Sequence, residues 1–257
     1  MSDANGTEPR TDLAVRCEGV GKSYALGEEL SLQHTLSTLV RRGTEQERFW
    51  ALSDVSFEVH RGEAFGIVGT NGSGKSTLTQ VISGIAMQDK GRIEVWGRLI
   101  PLLEVGAGFH PELTGRENVE LLGTILGLSS GTIRAEMDRI AEFAGVERHL
   151  DTPMKRYSTG MQARLSFATA VCFPADIYVF DEVLSVVDDS FREQCNEELA
   201  RLNREGRTII FMSHDLDLVK SVCSTGMWLD NGKLRRRGDI AEIATAYAEA
   251  ESSAPSE

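Results

Sequence analysis

The residues with the most specific chemistry in this chain lie between positions 69 and 77, where the sequence reads GTNGSGKST. Its glycines leave room for backbone N–H groups to surround phosphate oxygens, an approach that side chains would block. Lys75 adds a positive charge for the outer phosphates, and the Ser76 hydroxyl is a suitable ligand for Mg²⁺. The spacing fits G-x-x-x-x-G-K-[ST] and predicts a phosphate-binding loop. The nucleotide-contacting residues predicted in it are Gly69, Asn71, Gly72, Ser73, Gly74, Lys75, Ser76 and Thr77.

A second set of candidate residues ends an apolar strand further along the chain. Residues 177–180 are apolar, and Asp181 and Glu182 follow them directly. Asp181 is predicted to hold Mg²⁺, directly or through water. Glu182 is predicted to accept a proton from, or to orient, the water that attacks the terminal phosphate. An acidic strand end alone is a weak signal, but its place after a phosphate-binding loop favours the catalytic interpretation.

Two further polar residues have both a structural and a functional interpretation. Ser158, in the segment YSTGMQ, precedes a helical pattern and is suited to cap that helix with its hydroxyl. His214 follows an apolar strand at residues 207–212, a position where a lone histidine is more often structural. Their order along the chain favours function: phosphate loop, Ser-x-Gly-x-Gln, acidic strand end, then histidine.

This order of motifs resembles that of ATP-binding cassette (ABC) ATPases, over about residues 13–240. The resemblance implies an α/β fold of the ABC-type P-loop NTPase class, with a RecA-like core, an antiparallel β subdomain and a helical subdomain. It also implies a homodimer of nucleotide-binding domains, paired head to tail with ATP between the copies. ATP and Mg²⁺ are the cofactors that it implies.

The catalytic roles follow from the same resemblance. Glu182 is the expected general base and His214 the expected sensor of the γ-phosphate. Ser158, Gly160 and Gln162 of one copy are expected at the nucleotide held by the other. This arrangement explains why the signature segment is so far from its own phosphate loop. Residues 185–188 resemble the loop that links the two sites and place Asp188 there.

Two further assignments concern adenine stacking and magnesium coupling. Tyr24 is the first candidate for stacking on adenine, and Trp50 is its competitor. Glu104 stands near the place where the family usually carries Gln. A carboxylate there is a candidate Mg²⁺ ligand but adds negative charge near phosphate, so its coupling role stays open. The signature also departs from the usual pattern, at Thr159 and Met161.

Two segments point to a subfamily. Residues 102–118, LLEVGAGFHPELTGREN, and the YSTGMQ segment resemble the ATPases of bacterial polysaccharide exporters. Such ATPases drive O-antigen, capsule, teichoic-acid or galactan chains, mounted on a lipid carrier, across the inner membrane. The resemblance therefore implies a separate transmembrane permease as partner, with the glycan handled through it. It also implies a peripheral location on the cytoplasmic face of the inner membrane.

Composition limits the alternatives. The chain has 257 residues, of which 41% are hydrophobic and 26% charged, as in a soluble globular protein. Its net charge of −12 disfavours nonspecific nucleic-acid binding, so we expect no nucleic-acid partner. No apolar run is long enough to span a bilayer and no signal peptide opens the chain. We therefore expect any action at a membrane to require a partner.

The hydrophobic pattern predicts how these residues are positioned. It indicates a strand at 64–68 before the phosphate loop and a helical stretch from 118 to 144. We expect a single nucleotide-binding domain at 13–245, with a helical subdomain at 104–172 inserted in the α/β core. Tails at 1–12 and 251–257 are expected to be flexible. Further predictions are strands at 14–20, 53–59, 92–96, 99–105 and 207–212, a hairpin around Asn231-Gly232, and helices after Thr159 and at 240–250.

An N-terminal insertion at 27–48 has two interpretations. Apolar residues recur there with helical spacing and two arginines follow them, namely Leu32, Leu36, Leu39, Val40, Arg41 and Arg42. The helix either lies on its own domain or is offered to a permease near the lipid head groups.

Other classes of function with the same core are less consistent with the sequence. A DNA-repair or chromosome ATPase needs long coiled-coil arms between the phosphate loop and the signature, and this interval is short. A translation-associated cassette protein usually carries two nucleotide domains in one chain. A small-molecule kinase would lack the Ser158-Thr159-Gly160 segment. An ABC exporter of a lipid, drug or peptide remains the alternative.

Overall fold

The predicted α/β class is confirmed in the computed structural model, which describes residues 12–25, 48–102, 108–182 and 187–253. The strands are β1 (Leu13–Ala25), β2 (Arg48–His60), β3 (Ala64–Val68), β4 (Lys90–Val95), β5 (Leu99–Leu102), β6 (Ile177–Asp181), β7 (Thr208–Met212), β8 (Thr225–Asp230) and β9 (Lys233–Asp239). The α-helices are α1 (Lys75–Ile82), α2 (Gly115–Ile125), α3 (Ser130–Ala144), α4 (Thr159–Cys172), α5 (Asp189–Arg204), α6 (Leu216–Val222) and α7 (Ile240–Ser253).

The larger sheet has six strands in the order β5-β6-β7-β3-β8-β9. The pairs from β5 to β8 are parallel, and β9 returns antiparallel to β8 around the predicted Asn231-Gly232 turn. Strands β3, β6 and β7 are buried along their whole length, as expected for parallel strands covered on both faces. Because these strands run in one direction, their carboxyl ends meet at one edge of the sheet.

Alternate side chains of the central strands enter two separate cores. In β6, Val179 faces a core shared with β1, β2 and α1, whereas Phe180 faces the core built with the later helices. In β7, Ile210 and Phe211 divide in the same way. The period of two along a strand therefore joins the sheet to both neighbouring layers and fixes its register.

A second, antiparallel sheet has the order β2-β1-β4. Strand β1 runs to Ala25 and β2 begins at Arg48, so both strands are longer than predicted. Arg48, assigned to the insertion by the sequence, pairs with Ala25 in this sheet. The rest of the predicted insertion lies outside the described residues, including its apolar stripe, Arg41 and Arg42.

The helical stretch predicted from 118 to 144 contains a break. The structure has two helices, α2 and α3, with a connection that contains Gly127 at a φ of 72°. Only glycine adopts that angle readily, and Ser129 begins α3 by accepting a hydrogen bond from the Thr132 backbone N–H. The apolar period continues across the break, which is why the pattern alone missed it.

Two predicted element boundaries differ in the structure, one at the C-terminal helix and one at β5. The C-terminal helix was expected to end at 250, with a flexible tail from 251, but α7 continues to Ser253. Strand β5 ends at Leu102, where the pattern suggested 105, and residues 103–107 lie outside the described part. Among the described residues, no helix is both long enough and apolar enough to cross a membrane.

Candidate functional site

The phosphate-binding loop lies between β3 and α1, as its motif requires. Gly72 and Gly74 have φ angles of 78° and 104°, which other residues adopt only with strain. A side chain at Gly74 is also excluded by space, because its Cβ would lie 2.6 Å from the carbonyl oxygen of Ala51 in β2. At Gly72 the same position is open, so the loop leaves free room on its outer side. These two glycines shape a cradle in which backbone N–H groups are accessible.

Lys75 is a buried cation held by the loop itself. Its side chain is 5% exposed, and its Nζ donates to the carbonyl oxygens of Gly69 at 2.7 Å and Thr70 at 3.0 Å. The same Nζ lies 3.6 Å from a carboxylate oxygen of Glu182. A buried positive charge needs anionic or carbonyl partners, and Lys75 has both on the side of the predicted phosphate site.

Glu182 is fixed in a strained backbone conformation at the end of β6. Its φ is 51°, in the left-handed region that non-glycine residues rarely adopt. Its backbone N–H donates to the carbonyl oxygen of Met212 at 3.0 Å, which ties it to the end of β7. Its Oε1 lies 3.1 Å from Nδ1 of His214, which follows β7. Asp181 precedes it and is buried, opposite Met212 in the register.

The carboxyl edge of the sheet therefore brings together most of the predicted chemistry. The segments that follow β3, β6 and β7 supply Lys75, Glu182 and His214, from three distant parts of the sequence. A cavity of about 300 Å³ opens beside them. Its described lining residues are Tyr24, Phe49, Ala51, Asn71, Gly72, Gly74, Lys75, Ser76, Thr77 and Glu182.

The signature residues lie elsewhere in the same chain. Ser158 is exposed and caps α4, its Oγ accepting a hydrogen bond from the Met161 backbone N–H at 3.2 Å. Gln162 is partly buried and donates to the carbonyl oxygen of Met154 at 3.3 Å. Ser158, Gly160 and Gln162 are not among the described residues that line the cavity. One copy of the chain therefore does not bring all the predicted residues together.

The chain is similar in sequence to known proteins. Residues 52–185 match the sequence profile of a family described as "ABC transporter". The chain belongs to this family. It is 39% identical to a teichoic acids export ATP-binding protein of Bacillus cereus over 92% of this chain, and 39% identical to an O-antigen export system ATP-binding protein of Klebsiella pneumoniae over 79% of this chain. The chain spans 42% of the length of the first relative and 82% of the second.

A solved structure supports the fold of this ABC cassette. The dimeric, post-hydrolysis ATP-binding cassette MJ0796, bound to ADP and Pi, superposes with a TM-score of 0.72 at 23% identity, over 88% of this chain and 98% of that one. The predicted ABC-type P-loop NTPase fold is confirmed. The loop at 69–77 lies within the residues that the family profile matches, and its nucleotide role stays a prediction.

The ABC cassette has one exposed aromatic residue at the cavity that the sequence reading missed. Tyr24, the first candidate for stacking on adenine, lines the cavity, but the competitor Trp50 is not among its described lining residues. Phe49 lines it instead and is the direct cross-strand partner of Tyr24. Strand alternation was the available signal, because Phe49 and Trp50 face opposite sides of β2 and only one of them can share a face with Tyr24.

Asp188 sits where two helices meet. One of its carboxylate oxygens accepts hydrogen bonds from the Ser190 hydroxyl at 2.6 Å and the Phe191 backbone N–H at 3.1 Å, so it caps α5. The other accepts from Arg164 of α4, six positions after Ser158. These contacts, led by the Ser190 hydroxyl, hold the pKa of Asp188 below its usual range. Glu104 lies outside the described residues.

A pair of loops supports the signature segment from the other side. The backbone N–H groups of Met154 and Lys155 donate to the carbonyl oxygens of Leu113 and Pro111, each at 2.9 Å. Asn118 is fully buried, and its side-chain amide donates to three carbonyl oxygens of the segment between residues 110 and 114. The segment that leads to Ser158 is therefore attached to the chain that follows β5. The sequence reading did not find this connection, because neither loop has a periodic pattern.

Proposed function

We propose that this chain is the ATP-hydrolysing motor subunit of an ABC exporter that moves a lipid-linked polysaccharide across the inner membrane. The observation that carries the proposal is the convergence of Lys75, Glu182 and His214 at one edge of the sheet, beside a phosphate cradle. The named relatives, which are ATP-binding proteins of teichoic acid and O-antigen export, support the substrate class.

The cradle is suited to a nucleoside triphosphate with Mg²⁺. Ser73 is buried, and its Oγ has no hydrogen-bond partner among the described residues. Backbone N–H groups of the loop and Lys75 would bind the phosphates, while Ser76 and Asp181 would hold Mg²⁺ through oxygen atoms. When bound, Mg²⁺ supplies positive charge to the phosphate oxygens. Glu104 is proposed as a further oxygen ligand.

Glu182 is proposed to accept the proton of the attacking water. Its carboxylate is partly exposed at the cavity, within reach of both Lys75 and His214. His214 holds the carboxylate in place from the end of β7, and we propose that it also contacts the γ-phosphate. Lys75 would supply the positive charge that stabilises the negative charge on the phosphates.

We propose that the complete site forms between two copies of the chain. Ser158 and Gly160 begin a helix whose N-terminal end attracts anions, and Ser158 is exposed. In a head-to-tail homodimer these residues and Gln162 would contact the nucleotide bound by the partner copy. Asp188 would lie at the contact between the two sites.

The membrane step belongs to a separate permease in this proposal. The cassette would sit peripherally on the cytoplasmic face of the inner membrane, with the lipid-linked glycan handled through the permease. The predicted domain at 13–245 supplies the motor. The insertion at 27–48 is its proposed contact with the permease and the lipid head groups, on the grounds of its apolar pattern and its two arginines.

Depletion of the chain in its own cell tests the export function. We expect a lipid-linked polymer to accumulate on the cytoplasmic face, and the wild-type gene to clear it. A Glu182→Gln gene expressed at the same level should not clear it, because it lacks the proposed base. Copurification with a multi-span membrane protein is expected as well. If no lipid-linked polymer accumulates, or if the Glu182→Gln gene restores export fully, the proposal is wrong.

A further inference from the structure

Phe49 belongs to β2, but its aromatic ring is exposed at the surface. Its side chain is 55% exposed at the start of β2, and no aromatic ring of the described chain stacks on it. An exposed phenylalanine leaves apolar surface in water, which favours contact with a flat apolar group. Its direct cross-strand partner, Tyr24, is also 42% exposed. The two rings therefore form one aromatic surface at the mouth of the cavity.

This surface is held at a fixed place relative to the phosphate cradle. Ala51, two residues after Phe49 on the same strand, contacts the loop closely enough that only glycine fits at position 74. The backbone N–H of Gly232 donates to the carbonyl oxygen of Ser73, and that of Ser53 donates to the carbonyl oxygen of Gly232. Strand β2 and the phosphate loop are thus joined through the β8–β9 turn. A nucleotide with its phosphates in the loop would extend its base toward the two rings.

The neighbouring strand is pinned as well. The Asp89 carboxylate accepts hydrogen bonds from the Ser23 backbone N–H at 2.7 Å and from its hydroxyl at 3.0 Å. The Asp89 backbone N–H donates to the carbonyl oxygen of Gly21 at 2.8 Å. The ammonium group of Lys22 lies over the Tyr24 ring, 5.4 Å from its centroid. These contacts hold the end of β1 and leave the exposed part of the Tyr24 ring toward the cavity.

We propose that Phe49 is a second base-binding residue, which forms with Tyr24 an aromatic pair that holds a purine base by stacking and contact rather than by hydrogen bonds. This inference rests on the proposed nucleotide binding and concerns the half of the ligand that the phosphate loop does not touch. Phe49 has no hydrogen-bonding side chain, so its contribution should not depend on which purine is bound.

Calorimetric titration of Phe49→Ala with three ligands, each with Mg²⁺, tests the proposal. We expect ADP and GDP each to bind about tenfold more weakly than to the wild-type chain, the size expected for one base–aromatic contact. Pyrophosphate, which has no base, should bind within about twofold of wild type, since the phosphate loop is unchanged. Phe49→Trp keeps an aromatic ring and should bind ADP with nearly the affinity of the wild-type chain.

Trp50→Ala is the matched control, because it removes the adjacent ring on the other face of β2. That ring lies under the Lys90 ammonium group at 4.5 Å and is not among the described lining residues. The Trp50→Ala substitution should leave ADP affinity unchanged. Unchanged ADP binding by Phe49→Ala, an equal loss for pyrophosphate, or an equal loss in Trp50→Ala would each overturn the role of Phe49. A wild-type chain that binds none of the three ligands would instead overturn the proposed function, and this role with it.

Discussion

At the scale of single residues, the site depends on a carboxylate held between two nitrogen groups. Glu182 has a lysine 3.6 Å away on one side and a histidine 3.1 Å away on the other, and its backbone is strained. Such strain persists only where the surroundings fix it. In this molecule the fixing contact is the hydrogen bond to the carbonyl oxygen of Met212. This bond to the neighbouring strand therefore helps to place the carboxylate, together with the side-chain contacts to Lys75 and His214.

Replacement of this carboxylate by an amide should separate binding from hydrolysis. Glu182→Gln keeps the size of the side chain but removes its basicity, so we expect the rate of phosphate release to fall by at least about 100-fold. Nucleotide affinity should stay within a few-fold, because Lys75 and the loop are intact. Steady-state phosphate release and equilibrium ADP binding measure the two effects. Hydrolysis within a few-fold of wild type would mean that another group is the base.

The sequence predicted the residues of the phosphate cradle better than their surroundings. Lys75 and Ser76 are specified by a continuous motif, so spacing alone identified them. Phe49 was missed because its importance comes from the partner across the sheet, which a linear motif does not encode. The Met212 carbonyl that holds Glu182 was missed for a similar reason: any residue there would supply the same backbone oxygen.

At the scale of secondary-structure elements, the ends of helices hold two of the predicted site residues in place. Ser158 begins α4, and Asp188 begins α5 while also bonding to Arg164 on α4. Helix α4 is thus joined to α5, the helix that follows β6. The sequence predicted Ser158 as a cap but placed Asp188 only in the loop that links the two sites.

The two roles of Asp188 at this junction can be separated by stability measurements. Asp188→Ala removes the cap acceptor and the ion pair, so we expect the free energy of unfolding to fall by about 1 kcal/mol. Asp188→Asn keeps an oxygen that can cap α5 and removes only the charge. Because the Arg164 pair is largely exposed, its loss should matter less than that of the cap.

Urea unfolding of both variants beside the wild type gives the comparison. The expected order of stability is wild type, then Asp188→Asn close to it, then Asp188→Ala clearly lower. An Asp188→Asn variant as unstable as Asp188→Ala would show that the ion pair, and not the cap, holds the junction.

The element scale was the least predictable from sequence. Gly127 and Ser129 are a helix stop and a helix start, yet the apolar period of 118–144 continued through them.

At the scale of the whole molecule, one copy of the chain holds its predicted site residues in two separate places. The cavity contains the phosphate loop and Glu182, whereas exposed Ser158 lies outside its described lining. The order of motifs predicted this separation, since it resembles a family in which the site forms between copies. The sequence could not show which loops support the signature, because the bonds of Met154 and Lys155 to the chain after β5 join backbone atoms.

Pairing of two copies should therefore depend on Ser158, and the chain offers a matched control for that test. In a Glu182→Gln background with ATP and Mg²⁺, we expect sedimentation to show a dimer, and Ser158→Arg to abolish it by filling the proposed interface. Ser129 is likewise an exposed helix cap, whose Oγ accepts from the Thr132 backbone N–H at 3.1 Å. Ser129→Arg loses an equivalent cap on α3, outside the proposed interface, so its dimer should persist. Equal dimerisation of both variants, or equal failure, would mean that Ser158 has only a capping role.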